Sequence, residues 1–560
     1  MKSKTKRIVT TICVACLMLI DLKAANDSWY IWIITNNMVG VLFAVIMFTA
    51  YPLKEYLKPF YITWDVIGIL GVIGGYLFWR THQIGHIMGF WSTVPLNIWF
   101  LGTVFFKYIE KIFISKELKI RFARWEYVFI ACMLLMLISK SDYVWPFYFL
   151  VIFLMLWHMP YSGEDKRQLF MGVMDGLILG FIILQGKAFM YKSYGLVRYT
   201  GAYWNSNRNG AFYLLIYTVF LTRTLINKKQ NKKTCLTVIL SSVMAAFIMY
   251  TGSRTSLAGM IIITGIYYLI GERKIANEKF GRIVKQFAIF VVAFLVSIPL
   301  LYFPICYLPL IRTAIRTEIK NIVKGTDIPV TISNESSVQL NEALDNMIFR
   351  FLKSDVKDES VTDDHEDESD ADISELTEDI AEIEDSPYIF DIEQYGYNEK
   401  YCVIEYYYRD YPERGKRVVY VPRSLYGGVT SLNIRINMYA VLIDNMNVLG
   451  HDSSEVFMVL YSNAPGTSDN WINNEQNFLI HYLYNYGVPV GILFCLMILI
   501  ELIYLIRSTF KGDVRSFAFA MFVLVYICIG TMEVVWVPGQ IVLILLFIAP
   551  LFFESRELAN

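Results

Sequence analysis

The chain has 560 residues, of which 56% are hydrophobic and 18% charged. A soluble domain carries about a quarter charged residues. Here the apolar residues gather in runs of roughly 15 to 22, which excludes a soluble enzyme and indicates an all-α polytopic membrane protein. The 50 bases balance the 50 acids, yet residues 307–476 hold 32 of the acids and 14 of the bases. No basic aqueous surface of the kind nucleic acids require stands out.

In chain order, fourteen apolar runs lie near 8–22, 31–50, 64–79, 87–106, 125–139, 143–158, 169–186, 209–226, 234–250, 255–271, 286–306, 488–506, 516–532 and 538–553. Several are shorter than the roughly 20 residues that span a bilayer upright, so the expectation is about 12–14 transmembrane helices. The first run follows Lys2, Lys4, Lys6 and Arg7 and resembles a signal peptide. Asp21 and Lys23 stand where cleavage wants small residues, which favours a retained helix.

The loops alternate in basic charge. The N-terminus, the loops around Lys54, Lys107–Arg124, Lys166, Arg223–Lys233, Arg273–Lys285 and Arg507–Arg515, and Arg556 hold 28 Lys and Arg, against 8 in the short loops between them. By the positive-inside rule the first set is cytoplasmic. Both termini are then cytoplasmic, and 307–476 is extracytoplasmic. The chain divides into 1–306 with eleven spans, 307–476 as a loop domain, and 477–560 with three spans and a tail.

Within the loop, residues 355–385 carry sixteen Asp and Glu against one Lys, a composition expected to be disordered. The DxD spacing of Asp370 and Asp372 occurs readily by chance in such a run. After Pro387 the texture changes. Tyr401–Tyr408 and Arg417–Val421 read as a strand pair, and 431–449 as a helix, together a small α+β cap. Cys402 is alone in the loop, so no internal disulfide framework is available, and the Cys13–Cys16 pair has no matching pair to complete a metal site.

Polar residues at membrane depth or at span ends mark functional sites. Three clusters fall on the expected outer side: Arg198 to Gly210 with Asn205, Asn207 and Asn209; Thr251-Gly-Ser-Arg-Thr-Ser256; and Asn474-Glu-Gln-Asn477 to His481. Each admits a bland reading as helix ends and caps. Their coincidence on one side favours an anion or sugar site.

In this order and spacing the clusters resemble the O-antigen ligase and polymerase family of bacterial membrane glycosyltransferases. Arg198-x-x-Gly201-x-x-x-Asn205-Ser-Asn207 resembles that family's R-x-x-G-x-x-x-N-P-N signature, with Ser206 in place of Pro. Ser253-Arg254-Thr-Ser resembles its S-R-[ST] turn. Gln476-Asn477-x-x-Ile480, with Gly487 and Gly491, resembles its H-N-x-x-L…G-x-x-G segment, and Arg435 with Leu449-Gly450 is similar to its R-x-x-x-[WY]…G-x-G stretch. Gln476 stands where the family has His, and Gln cannot accept a proton as a base.

The resemblance implies transfer of an undecaprenyl-diphosphate-linked glycan to an acceptor glycan hydroxyl at the outer face of the bacterial cytoplasmic membrane. Arg254 and Arg435, with Glu475 as base, are the implied catalytic residues. Arg198, Asn205, Asn207, Ser253, Gln476, Asn477 and His481 are the implied substrate-binding residues. The donor is already activated, so no metal or other cofactor is implied, and further polysaccharide-assembly membrane proteins are candidate partners. Polymerase is favoured over ligase. Two other readings stay open. A lipid-linked oligosaccharide flippase would need polar span centres, to which Asp175 and Glu533 are the exceptions here. A sensor would use the acidic loop to bind cations or a partner.

Overall fold

In a computed structural model, the structure describes residues 3–24, 55–82, 95, 98–99, 102–103, 105–116, 122–141, 144–158, 161–191, 198–203, 206–324, 388–395, 401–408, 417–422, 431–451, 459–460, 471–472, 477–531 and 541–553. The helices are α1 (Ser3–Ala24), α2 (Lys58–His82), α3 (Arg124–Ile138), α4 (Val144–Trp157), α5 (Gly163–Tyr191), α6 (Ser206–Lys229), α7 (Cys235–Thr251) and α8 (Arg254–Ile266). They continue with α9 (Phe280–Cys306), α10 (Leu308–Lys324), α11 (Ser431–Asp444), α12 (Phe478–Asn485), α13 (Val488–Phe510), α14 (Val514–Gly530) and α15 (Ile541–Ile548).

Among the described residues, six stretches are long and apolar enough to cross a membrane: 55–78, 163–191, 206–229, 254–275, 280–319 and 488–510. Residues 235–251, 514–530 and 541–552 form shorter apolar helices. The chain is therefore a multi-pass membrane protein. The expected span at 31–50, most of that at 87–106 and the acidic run 355–385 lie outside the described residues.

Burial divides the helices. The apolar residues of α6, α14 and α15 are almost all buried, so these helices form the interior. On α2, Ile62, Val66, Leu70, Ile73 and Leu77 are exposed, as they would be against lipid rather than water.

Lipid tails are as apolar as leucine, so helices in a bilayer associate by close packing rather than by hydrophobic exclusion. The contact of α1 with α5 shows this. Gly172, Gly176 and Gly180 lie four residues apart on α5, and a Cβ on them would come 2.6 Å from Thr10 Cβ, Val14 Cβ and Met18 Sδ respectively. Contacts that advance together along both chains mean that the two helices run parallel. In the same interface Asp175, the mid-span carboxylate, pairs with both Arg7 and Arg223. Its charge is neutralised inside the bundle.

At the opposite end from the residue 198–207 loop, α8 continues as a π-helical segment, Tyr267–Ile275. Its buried Glu272 pairs with Lys228 and accepts hydrogen bonds from Tyr267 and from Gln286 Nε2 at 3.1 Å. At the same end Asp513 caps α14, accepting from the backbone N–H of Arg515 and Ser516 and from Ser516 Oγ at 2.7 Å. Burial raises the Asp513 pKa, but the Ser516 hydrogen bonds and the Arg515 charge outweigh it and hold the carboxyl below its ordinary value.

Beyond the spans, β1 (Tyr388–Tyr395), β2 (Tyr401–Tyr408) and β3 (Arg417–Pro422) form an antiparallel meander, with Phe390 opposite Tyr406 and Ile404 opposite Val419. A two-residue pair, β4 (Val459–Leu460) and β5 (Trp471–Ile472), is separate from it. The strand pair expected from sequence is β2–β3. β1 was not anticipated, because its Asp391, Glu393 and Gln394 weaken the β-rich pattern.

Two outcomes follow. Gly176→Val forces α1 away and should cost about 1–3 kcal/mol in detergent unfolding, whereas Gly186→Val, with no heavy atom within 4 Å of its added Cβ, should leave the α1–α5 contact intact. Because the folded pKa of Asp513 is depressed, its contribution is complete above about pH 4 and is lost as pH falls through the folded value. Asp513→Ala should therefore cost about 1 kcal/mol at neutral pH, with the gap to wild type closing in acid.

Candidate functional site

The end of the bundle where α5 and α7 finish and α6 and α8 begin is built from loop backbone held by buried side chains. Tyr199 N–H donates to Tyr250 O at 2.9 Å, stitching the loop to α7. The Tyr199 hydroxyl accepts from Gln185 Nε2 at 3.1 Å, and Tyr213 donates to Gln185 Oε1 at 2.6 Å. Burial pushes the Tyr199 hydroxyl well above its usual pKa, and hydrogen bonds to Gln185 and Tyr213 offset this only in part, so it stays protonated. Gly201 turns the loop at φ 53°, where a Cβ would stand 2.0 Å from Asn209 Nδ2. Only glycine fits this backbone and this gap.

Arg198 is half-buried and reaches back across the turn. Its Nη1 donates to Ser206 Oγ at 2.9 Å and to Asn207 Oδ1 at 3.2 Å. Ser206 thus supplies an acceptor that closes the turn.

The second cluster packs directly on the first. A Cβ at Gly210 would lie 2.7 Å from Ser256 Oγ, 2.8 Å from Ser253 Cβ and 3.0 Å from Thr251 Oγ1. Gly252, at φ 59°, ends α7, and Ser253 caps α8, with Oγ 3.4 Å from Ser256 N and 3.0 Å from Ser256 Oγ. Ser253 is 2% exposed and committed to that cap, whereas Arg254, the next residue, is exposed.

In the third cluster Asn477 caps α12, accepting from Leu479 N at 2.9 Å and Ile480 N at 3.2 Å, and donates through Nδ2 to Thr531 O at 3.1 Å. It is thereby tied to the end of α14. Farther along α14, Cys528 Cβ lies 3.4 Å from where a Cβ on Gly259 of α8 would be. The three clusters therefore share one end of the bundle, with the end of α14 between the second and third. His481 is half-buried and its Nδ1 lies 2.9 Å from Asn485 Nδ2. That amide can only donate, so the ring's proton belongs on Nε2. Arg435 lies on α11, which packs against α12.

Sequence reading missed the clamp that holds α12 in place. Gly450 (φ 74°) and Gly487 (φ 98°) lie back to back, and a Cβ on either would fall 2.1 Å from Asn485 O or Val448 O respectively. His451 stacks on Tyr484 with ring centroids 4.0 Å apart, and its Nε2 contacts Asn445 O at 2.8 Å. Also unforeseen is Arg312 on α10, whose guanidinium carbon lies 3.8 Å over the Tyr191 ring at the end of α5. Asn205, Glu475 and Gln476 lie outside the described residues.

This end can therefore collect guanidinium groups around a loop whose polar side chains are largely occupied in holding its shape. Compared with known family models, curated proteins and solved structures, the chain matches none.

Gln185→Leu should cost about 1–3 kcal/mol by leaving the Tyr199 and Tyr213 hydroxyls buried without it. Adding Tyr199→Phe and Tyr213→Phe should recover most of that loss, because the polar groups are then removed together. Thermal unfolding of the single and triple variants reads both.

Proposed function

We propose that this protein is a membrane glycan polymerase, transferring an undecaprenyl-diphosphate-linked oligosaccharide onto an acceptor glycan hydroxyl in surface-polysaccharide assembly. It would work at the outer face of a bacterial cytoplasmic membrane, with both termini cytoplasmic and 307–476 outside. The observation that supports this reading is the packing of the start of α6 at Gly210 on the Thr251–Ser256 turn, at the end of the bundle that also carries Asn477.

In the reaction the acceptor hydroxyl oxygen attacks the donor sugar C1. The bond from C1 to the diphosphate oxygen breaks, and the lipid diphosphate departs with the electron pair. The leaving group is already acidic, so the site must neutralise charge more than donate a proton. A guanidinium bonds phosphate oxygens in pairs. Arg254, exposed beside the buried cap, is the first residue for that role, and Arg435 the second. Arg198 spends one nitrogen on Ser206 and Asn207 and so holds the loop in shape. Ser253 and Asn477 position rather than touch substrate.

The acceptor's proton would pass to Glu475, a base contributing roughly 10²–10⁴-fold. Gln476 could hold a sugar hydroxyl but not take the proton. The activated donor makes neither metal nor sugar nucleotide necessary. The acceptor glycan, the bilayer and other assembly proteins are the partners this reading requires.

Arg254→Ala at matched protein level tests it. Surface glycan on a gel should collapse from long chains to single repeat units. If long chains disappear from the final acceptor while lipid-linked polymer accumulates, the protein is a ligase instead. An unchanged ladder removes Arg254 from the chemistry and reopens the flippase and sensor readings.

A further inference from the structure

The opposite end of the bundle carries a second site that the glycan reading does not use. A pocket of about 250 Å³ lies between α3 and α13, lined by Arg124, Trp125, Ile500, Ile503, Tyr504 and Arg507. The far end of α3 meets the 198–207 side of the molecule, where Lys140 N–H donates to Leu449 O. The pocket is therefore a helix length away from the three clusters.

Its chemistry is one-sided. Arg124 and Arg507 are both exposed, and neither guanidinium has a carboxylate, carbonyl or ring partner among the described residues. Trp125 is 3% exposed, and its ring forms a buried wall of the pocket. The nearest acid in sequence, Glu126, is turned elsewhere, to Ala123 N at 2.9 Å and His158 Nε2 at 3.4 Å. The two guanidiniums thus line the pocket without a counter-charge among the described residues.

A neighbouring pocket of about 320 Å³ at the same end shows the contrast. Its cations are already engaged: Arg167 with Glu164 at 3.6 Å, Arg515 with Asp513 at 3.1 Å, and Lys229 with Gly512 O at 2.5 Å. Cations at a protein surface usually find such partners or remain in water, and two that converge unpaired on an aromatic wall make a site for an anion.

The wall is firm and leads into the membrane. Trp125 packs edge-on against Trp157 and Phe553, at 4.7 and 5.1 Å, and Tyr504 stacks on Phe553 at 5.3 Å. From the pocket an exposed apolar stripe runs along α13 through Ile503, Leu499, Leu496 and Ile492, spaced four, three and four residues apart on one face. A free anion has no use for that stripe, whereas an acyl chain does.

We propose that this pocket seats the phosphate headgroup of an anionic phospholipid, with the two guanidiniums on its oxygens, the Trp125 ring as its wall and an acyl chain along Ile503 to Ile492. The inference does not depend on the glycan chemistry.

The test uses delipidated full-length protein in detergent, offered phosphatidylglycerol, phosphatidylcholine or glycerol phosphate, with retention read by native mass spectrometry. Wild type should retain phosphatidylglycerol about tenfold over phosphatidylcholine. Arg124→Gln with Arg507→Gln should abolish that preference, and Arg167→Gln should keep it. Equal retention of the two lipids, or a preference that survives the double variant, overturns the proposal. Retention of glycerol phosphate as strong as that of lipid overturns the lipid as occupant. Should the double variant fail to stay monodisperse, Ile503→Trp, which fills the pocket and keeps both charges, decides in its place: undiminished retention refutes the site.

Discussion

The candidate site depends on a side chain that is missing. At Gly210 the first turn of α6 comes so close to the Thr251–Ser256 turn that any Cβ would overlap three atoms of it. That contact sets two loops, about forty residues apart in sequence, against one another. It also puts the α8 cap under the α6 start and Arg254 at the edge of both. In water, hydrophobic exclusion would press the helices together at many places. In lipid that drive is absent between spans, and the approach of backbones at small residues takes its place. The Gly172–Gly176–Gly180 stripe does the same work between α1 and α5.

The second constraint is that polar groups at membrane depth need partners from inside the bundle. Asp175 finds Arg7 and Arg223, and Glu272 finds Lys228, Tyr267 and Gln286. These groups pair across helices and so bind them together. Glu501 on α13 is the exception among the described residues, fully buried with neither carboxylate oxygen hydrogen-bonded.

Much of this was legible in the sequence, and the reasons are physical. Apolar runs report spans because the bilayer requires continuous apolar helix. Ser253 and Asn477 could be recognised as possible caps because their short polar side chains suit the N-terminus of a following apolar helix. What escaped was long-range pairing. Asp175 reads as an isolated mid-span acid because its partners lie 168 and 48 residues away. The Tyr199–Gln185–Tyr213 chain escaped for the same reason, as did the stack of His451 on Tyr484. No local pattern announces them. β1 was missed because its charged and amide residues broke the β-rich texture on which strand reading depends.

The three motif clusters also divide once their hydrogen bonds are known. Ser253 and Asn477 have their side chains committed to helix caps, and Arg198 has one nitrogen committed to Ser206 and Asn207. A side chain in that position can hold a substrate-facing loop in shape but has little left to give to a ligand. Arg254 is exposed on the first turn of α8, immediately after a buried cap that fixes its backbone. Ser206 closes the turn by accepting from Arg198, and so makes Arg198 part of the scaffold.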